Sequence, residues 1–427
     1  MNETQSGLSH GQPRVPHLAI LTTHPIQYQV PLFRALEGHS GIRATVLYPL
    51  LHGAEEAYDR EFGFAYKWDV PLLDGYQWVK LENKARTPHV GRFFGTHVPG
   101  LAQQLRNMEA DAVLIPGWSR RYYLEGIGAA RSLRLPVLMR GETRLVPTAP
   151  MWKRLVKKAA VAPLVRRMSA VLPIGKASRT FYRWCGVEER RMFDSLYFVD
   201  NAYFASARKT KEAEVAERKR KQGIPENAVV FLFVGKLSEK KRPMDLLQAV
   251  RRTRKAEGTI ADSESRKPEA ETQKALPSMH VLMVGEGPLR EDCQAFAAKH
   301  GLPVTFTGFL NQSAVTDAYA LGDCIVLPSN YGETWGLVVN EAMASGLTAL
   351  VSDRVGCAED LIQDGETGFV FPFAQPDALA QHMMALCSDT ALLRRCREGA
   401  FHRVAEYDVE QAADGLVNAV QFVCDGE

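Results

Sequence analysis

Short apolar runs at 17–23, 44–49, 76–81, 112–115, 136–139, 170–174 and 195–199 alternate with segments of helical length. Runs this short and continuous suit strands buried on both faces. The alternation therefore predicts a mostly parallel sheet with helices on either side. The pattern then changes: from Ala207 to Gln222 charge dominates, which reads as a solvated helix or a hinge, and a second alternating series begins at Val229. The expected fold class is α/β, with two Rossmann-like, doubly wound domains at 15–205 and 206–407. Residues 254–278, rich in Lys, Glu, Ser, Thr and Pro, read as a disordered surface insertion. Stacked domains of this kind bind ligands at the carboxyl ends of their strands, so the site is expected in the cleft between them.

The most specific run extends from Gly332 to Gly346 and carries Glu333 and Glu341. Upstream, Ile325–Val326–Leu327–Pro328 reads as a buried strand ending at Ser329 and Asn330. Downstream, Leu337, Val338, Val339, Ala342, Met343 and Ala344 make a helix apolar on nearly every face, stopped by Gly346. Glu333 thus sits in the loop and Glu341 in a largely apolar setting, where a carboxylate needs hydrogen-bond donors. One source of donors is a nucleotide sugar. Glu341 would accept from the ribose hydroxyls and Glu333 from the sugar, while the backbone around Thr334, Trp335, Gly336 and Leu337 faces the phosphates. The competing reading is a solvated loop acid plus a helix acid paired to a nearby Lys or Arg.

With its neighbours, this run resembles glycosyltransferase family 4, whose members carry a Glu-x7-Glu signature in the second half of a two-domain GT-B fold. Gly235-Lys236-Leu237-Ser238-Glu239-Lys240-Lys241-Arg242-Pro243 resembles the family's basic phosphate loop, with Lys236 and Lys241 at the matching positions and Arg242 where a Gly usually follows. The segments 281–290, which include Gly285 and Gly287, and 304–309, ending at Phe309, resemble strands whose loops surround the base. Segments 351–356 and 364–370 resemble the last two strands. The likeness covers roughly 195–420 well and the first half in outline; there, His24-Pro25-Ile26 stands where many relatives place paired glycines, and Trp335 stands where Phe is usual. It implies that the C-terminal helix, about Val409 to Cys424, crosses back so that 408–427 packs on the first domain. It also implies retention of anomeric configuration, and binding roles for the two glutamates in place of the paired roles that carboxylates take in retaining hydrolases.

Composition is that of ordinary globular material, 46% hydrophobic and 24% charged, with a formal charge of only +3, so nucleic acid is not an expected partner. Seven scattered cysteines form no C-x-x-C pair, which fits a reducing cytoplasm better than a disulfide or zinc framework. Met1 to Pro16 lacks an apolar core, and no run is long enough to span a bilayer. There is no Asp-x-Asp. No metal or other cofactor is therefore expected, and Lys236 and Lys241 would neutralise the leaving diphosphate.

In the first half, Trp152, Lys153, Arg154, Lys157 and Lys158 recur at helical spacing, as a helix touching anionic lipid would require or as a solvated helix face would allow. The expected location is cytoplasmic, including the inner face of the plasma membrane. His24 in the first strand-end loop and Glu142 after Arg140 are candidates to touch the acceptor or the transferred sugar, although Arg140 and Glu142 could simply pair. Trp118 could stack on a sugar, core packing being the alternative. The resulting expectation is a glycosyltransferase moving a sugar from a nucleoside diphosphate sugar to a hydroxyl acceptor, lipid-linked or glycan, in envelope or exopolysaccharide synthesis. The alternatives are an epimerase or hydrolase on the same fold, and a non-catalytic nucleotide-sugar-binding subunit.

Overall fold

The computed structural model describes residues 14–59, 64–209, 212–263 and 278–425. Fourteen strands are assigned among them: β1 (His17–Leu21), β2 (Arg43–Tyr48), β3 (Ala57–Asp59), β4 (Phe64–Tyr66), β5 (Trp78–Lys80), β6 (Ala112–Ile115), β7 (Val137–Met139), β8 (Ala170–Val171), β9 (Val229–Val234), β10 (Met279–Val284), β11 (Val304–Gly308), β12 (Cys324–Leu327), β13 (Thr348–Ser352) and β14 (Gly368–Phe371). Two six-stranded sheets result, ordered β5-β2-β1-β6-β7-β8 and β11-β10-β9-β12-β13-β14, and every pairing in them is parallel. The chain order reverses beside β1 and beside β9, where such sheets open a crevice. β3 and β4 form a small antiparallel ribbon, which the pattern of apolar runs did not reveal.

Burial on both faces accounts for the continuous apolar runs. Along β1, Leu18 and Ile20 enter one core and Ala19 and Leu21 the other. β9 does the same, with Val230 and Leu232 on one face and Phe231 and Phe233 on the other. The helix Val409–Cys424 packs Ala412, Leu416, Val417 and Val420 into the core that holds Leu18 and Ile20. Its approach is close enough that a Cβ on Gly415 would lie 1.8 Å from the Asp194 carbonyl oxygen.

Two expectations are corrected. The run 195–199 is extended but is no strand: Phe193 donates to the Val171 carbonyl, Ser195 to that of Pro173 and Tyr197 to that of Ile174. Pro173 has no N–H to return the bond, so the ladder stops at a single bridge between Val171 and Met192. The segment 254–278 does not begin as an insertion, because the helix Pro243–Ser263 runs through its first ten residues; 264–277 lie outside the described residues. Among the described residues no helix is long and apolar enough to cross a membrane.

Candidate functional site

The loops after β9, β10 and β11 are bonded edge to edge, Gly235 N–H to Val284 O at 3.0 Å and Gly285 N–H to Gly308 O at 2.8 Å. Gly285 adopts φ +138°, and a Cβ there would sit 2.0 Å from the Gly235 oxygen; Gly287, at φ +152°, meets Leu237 in the same way. These glycines let three backbones converge. Gly235, Gly285, Phe309 and Glu341 then line a pocket of about 160 Å³, with Val338 on its wall. Gly287 is not among the lining residues; it packs against the Leu237 backbone.

The loop 235–242 supplies charge. Lys241 Nζ lies 2.6 Å from Glu333 Oε2, in a pair whose side chains are only 14% and 11% exposed, and Lys240 Nζ lies 3.9 Å from the same oxygen. Burial would raise the Glu333 carboxyl, but the two lysines and their hydrogen bonding hold it below the usual carboxylate range. Glu333 is therefore an anion carrying its own counter-ion. Lys236 is half-buried in the same loop. Arg242 stands at φ +53°, a left-handed backbone that a glycine adopts without cost; its guanidinium binds Asp245 at 2.6 and 2.7 Å and covers the Phe373 ring. That fork compensates for the strained backbone.

Gly336, at φ +104°, opens the helix Leu337–Ala344 without a side-chain cap, so the first-turn N–H groups depend on other partners. Glu341, four residues into this helix, accepts from Tyr319 Oη at 2.5 Å through Oε2. Burial raises its carboxyl above the ordinary range despite that bond. The Trp335 side chain is taken up inside the fold, and the contact expected at this position was one through the backbone. The residue is 3% exposed, its Nε1 donates to Asn340 at 2.8 Å and its ring packs against Tyr197 and Tyr407.

From the first half, His24, Glu142 and Trp118 line a second cavity of about 410 Å³, and Thr334 of the second half lines it too. Burial, then His52 and Arg120, pushes the His24 imidazole down to about 4, so it is neutral near pH 7; Nδ1 lies 2.9 Å from Thr23 Oγ1. Glu142 accepts from Tyr197 Oη through Oε1 and from Thr334 Oγ1, across the cleft, at 2.7 Å. Arg140 does not pair with Glu142: it donates to Ser195 and Leu196 and lies over the Tyr197 ring. Trp118 stacks one face on Phe181 and lines the cavity as well, which joins the two roles weighed for it. Arg144, not singled out by the sequence, reaches across to the carbonyls of Tyr331, Glu333 and Arg354. Only its place two residues after Glu142 could have drawn attention to it.

The helix Met151–Val165 enters the first-half core only at its C-terminal end, through Ala162 and Val165, and leaves its first turns outside that core. Met151, Trp152, Leu155 and Val156 are 66%, 63%, 59% and 62% exposed. Lys153 lies over Trp152, Lys157 over Phe181 and Lys158 over Trp184. Arg154 is half-buried.

Comparison with known proteins identifies the fold. The fold is that of GT-B glycosyltransferases: a glycosyltransferase of Rickettsia africae superposes with a TM-score of 0.67 at 14% identity over 96% of this chain and 100% of its own. Anabaena Alr3699/HepE in complex with UDP does so at 0.69 and 16%, over 95% and 100%. Residues 214–403 match the family model for Glycosyl transferases group 1. The chain is similar to the sulfoquinovosyl transferase SQD2 of Arabidopsis thaliana, 35% identical over 34% of this chain and 28% of that protein. It is also similar to the alpha-D-kanosaminyltransferase of Streptomyces kanamyceticus, 27% identical over 61% and 62%. The matches span between about a quarter and two thirds of the length of these curated relatives.

Proposed function

We propose that the protein is a retaining glycosyltransferase of family 4 that moves a hexose-type sugar from a nucleoside diphosphate sugar to a hydroxyl acceptor without a metal ion. The observation that carries this reading is the buried Lys241–Glu333 pair beside the Glu341 pocket, facing Glu142 and His24 across one cleft. Glu341, its Oε2 bonded to Tyr319, keeps Oε1 for the ribose hydroxyls. Lys241 and Lys236 meet the diphosphate together with the uncapped helix end at Gly336, stabilising the charge that develops as the glycosidic bond breaks. Glu333, released by Lys241 as the phosphates arrive, accepts from sugar hydroxyls. The departing diphosphate takes the acceptor's proton on the same face.

The acceptor enters the cavity of His24 and Glu142 from a membrane surface. Between Thr143 and Val187 the chain carries ten Lys and Arg and no Asp or Glu, against a net charge of +3 for the whole chain. The exposed Trp152 and Leu155 belong to that segment. A basic stretch with an apolar edge suits the anionic inner leaflet, where each cation contributes about 1 kcal/mol, and a lipid-linked envelope glycan as acceptor.

The test is calorimetric titration of the purified chain with UDP, GDP, ADP and TDP in EDTA, followed by transfer assays with the corresponding sugars. One nucleotide should bind, Glu341→Gln should weaken it roughly tenfold or more, and Glu333→Gln should spare binding while slowing transfer. Equal losses of affinity in both variants would undo the division of roles, and no binding by any nucleotide would remove the donor assignment.

A further inference from the structure

Trp68 follows β4 in the first half of the chain, yet it lines the same pocket as Gly235, Gly285, Phe309 and Glu341. Its ring centroid lies 6.4 Å from that of Phe309, with the planes at 53°. Apart from Gln27 and Gln312, the rest of the wall is glycine and aliphatic, including Val284, Val315 and Val338, so the pocket is a largely apolar slot with one carboxylate in it. That chemistry fits a flat, weakly polar ring joined to a group rich in hydroxyls.

The loop holding Trp68 is fastened on both sides. On its own half, Trp68 N–H donates to the Gly53 carbonyl at 3.1 Å, and Gly53, at φ +89°, leaves the indole room: a Cβ there would lie 3.1 Å from Trp68 Cδ1. On the other half, Asn311 Nδ2 donates to the Lys67 carbonyl at 2.8 Å. The Asp69 carboxylate accepts from the Ser313 N–H at 3.2 and 3.3 Å and from its hydroxyl. Asn311 and Ser313 open the helix Gln312–Leu321, which also carries Tyr319, the residue bonded to Glu341. The loop from the first half is thus fixed to the same element that orients the ribose-side carboxylate.

We infer that Trp68 is a specificity-determining residue for the donor: its indole stacks on the base of the nucleoside diphosphate from across the cleft, and Asp69 latches it there through Ser313. This rests on the donor reading given above. An indole offers the largest π face of any side chain, and stacking on it favours a base over a bare phosphate. Donor binding would then draw the two halves together, because the base bridges a wall from each.

The experiment is calorimetry on the full chain and on Trp68→Ala, Trp68→Phe and Asp69→Ala, using the nucleoside diphosphate that binds the wild type and inorganic pyrophosphate, with melting temperatures to show that each variant is folded. Trp68→Ala should raise the nucleotide Kd roughly 5- to 100-fold and leave pyrophosphate unchanged, with Trp68→Phe restoring most of the affinity and Asp69→Ala falling between. Equal weakening of nucleotide and pyrophosphate would show a packing defect and overturn the inference. An unchanged nucleotide Kd in Trp68→Ala, with Glu341→Gln still losing binding, would overturn it and leave the donor reading standing. Failure of every diphosphate to bind the wild type would remove both.

Discussion

A single imidazole shows how strongly position governs chemistry in this cleft. His24 is held down to about 4, against an ordinary value of 6.5, first by burial and then by His52 and Arg120. Between pH 4 and 6.5 the unfolded chain therefore binds the proton and the folded chain refuses it. The stability this group contributes is complete above pH 6.5 and is lost as pH falls toward 4. His24→Gln should remove that dependence: the fall in melting temperature from pH 7 to pH 5 should be smaller than in the wild type by a few degrees, read by thermal denaturation at both pH values. A fall equal to that of the wild type would mean that the buried ring is not what resists the proton. The residues legible in the sequence are those whose partners are local or belong to a spaced motif: Glu333 and Lys241 lie in loops that follow strands, and Glu341 in the helix that the Glu333 loop enters. Trp68, Arg144 and Asp360 were not legible, because their partners stand far along the chain. Asp360 accepts from the Lys176 N–H, 184 residues away, at 3.1 and 3.2 Å, and Arg144 donates to the Glu333 carbonyl, 189 residues away. Nothing local marks such pairs.

At the scale of elements, parallel strands were readable because burial on both faces demands unbroken apolar runs, as in β9 and β12. The run 195–199 satisfies the same demand without being a strand, since apolarity reports burial and not whether the neighbouring chain can return a hydrogen bond. Helix Met151–Val165 was readable from its spacing, but its exposure was not: only the fold shows that Met151, Trp152, Leu155 and Val156 stay outside the core while Ala162 and Val165 enter it. That exposure makes a clean test possible. Trp152→Glu combined with Leu155→Glu should leave the melting temperature within a degree or two, because neither side chain supports the core. Binding to vesicles containing phosphatidylglycerol should fall roughly tenfold or more in a sedimentation assay. Vesicle binding at wild-type strength would mean that the basic segment does not dock on lipid.

For the whole molecule, the question is what holds the cleft closed. On the side where the chain passes between halves, Asn201 Nδ2 donates to the Val404 carbonyl at 3.2 Å, and Asp360, held by Tyr407 Oη, accepts from the Lys176 N–H at 3.1 Å. These contacts lie beside the covalent crossings and suit a hinge. Toward the ligand, the joins are Asp69 with Ser313, Glu142 with Thr334, and Arg144 with three carbonyls of the Glu333 loop. Arg144 is the most telling of these. Burial pushes its guanidinium below its usual value, and Nε is buried without a hydrogen-bond partner. Closure thus strips water from a cation and returns bonds to only one of its terminal nitrogens, so the open and closed forms should differ by little energy. A balance of that kind is easily moved. Arg144→Ala removes both the desolvation cost and the bonds to the loop that carries Glu333, and the loss of register at that loop should dominate during transfer. Nucleotide affinity, set mainly by the Glu341 pocket, should change less than about threefold, while kcat/KM for transfer should fall roughly 10- to 100-fold. Small-angle scattering of the free variant should show a radius of gyration larger by roughly 1 Å than the wild type's, for which a compact chain of this length is near 22 Å. If both the radius and kcat/KM stay at wild-type values, Arg144 is a passenger and closure is set by the hinge side and the Asp69 latch. If affinity falls as far as transfer does, the guanidinium acts on the donor pocket itself, and the two halves of the cleft are coupled before the acceptor arrives.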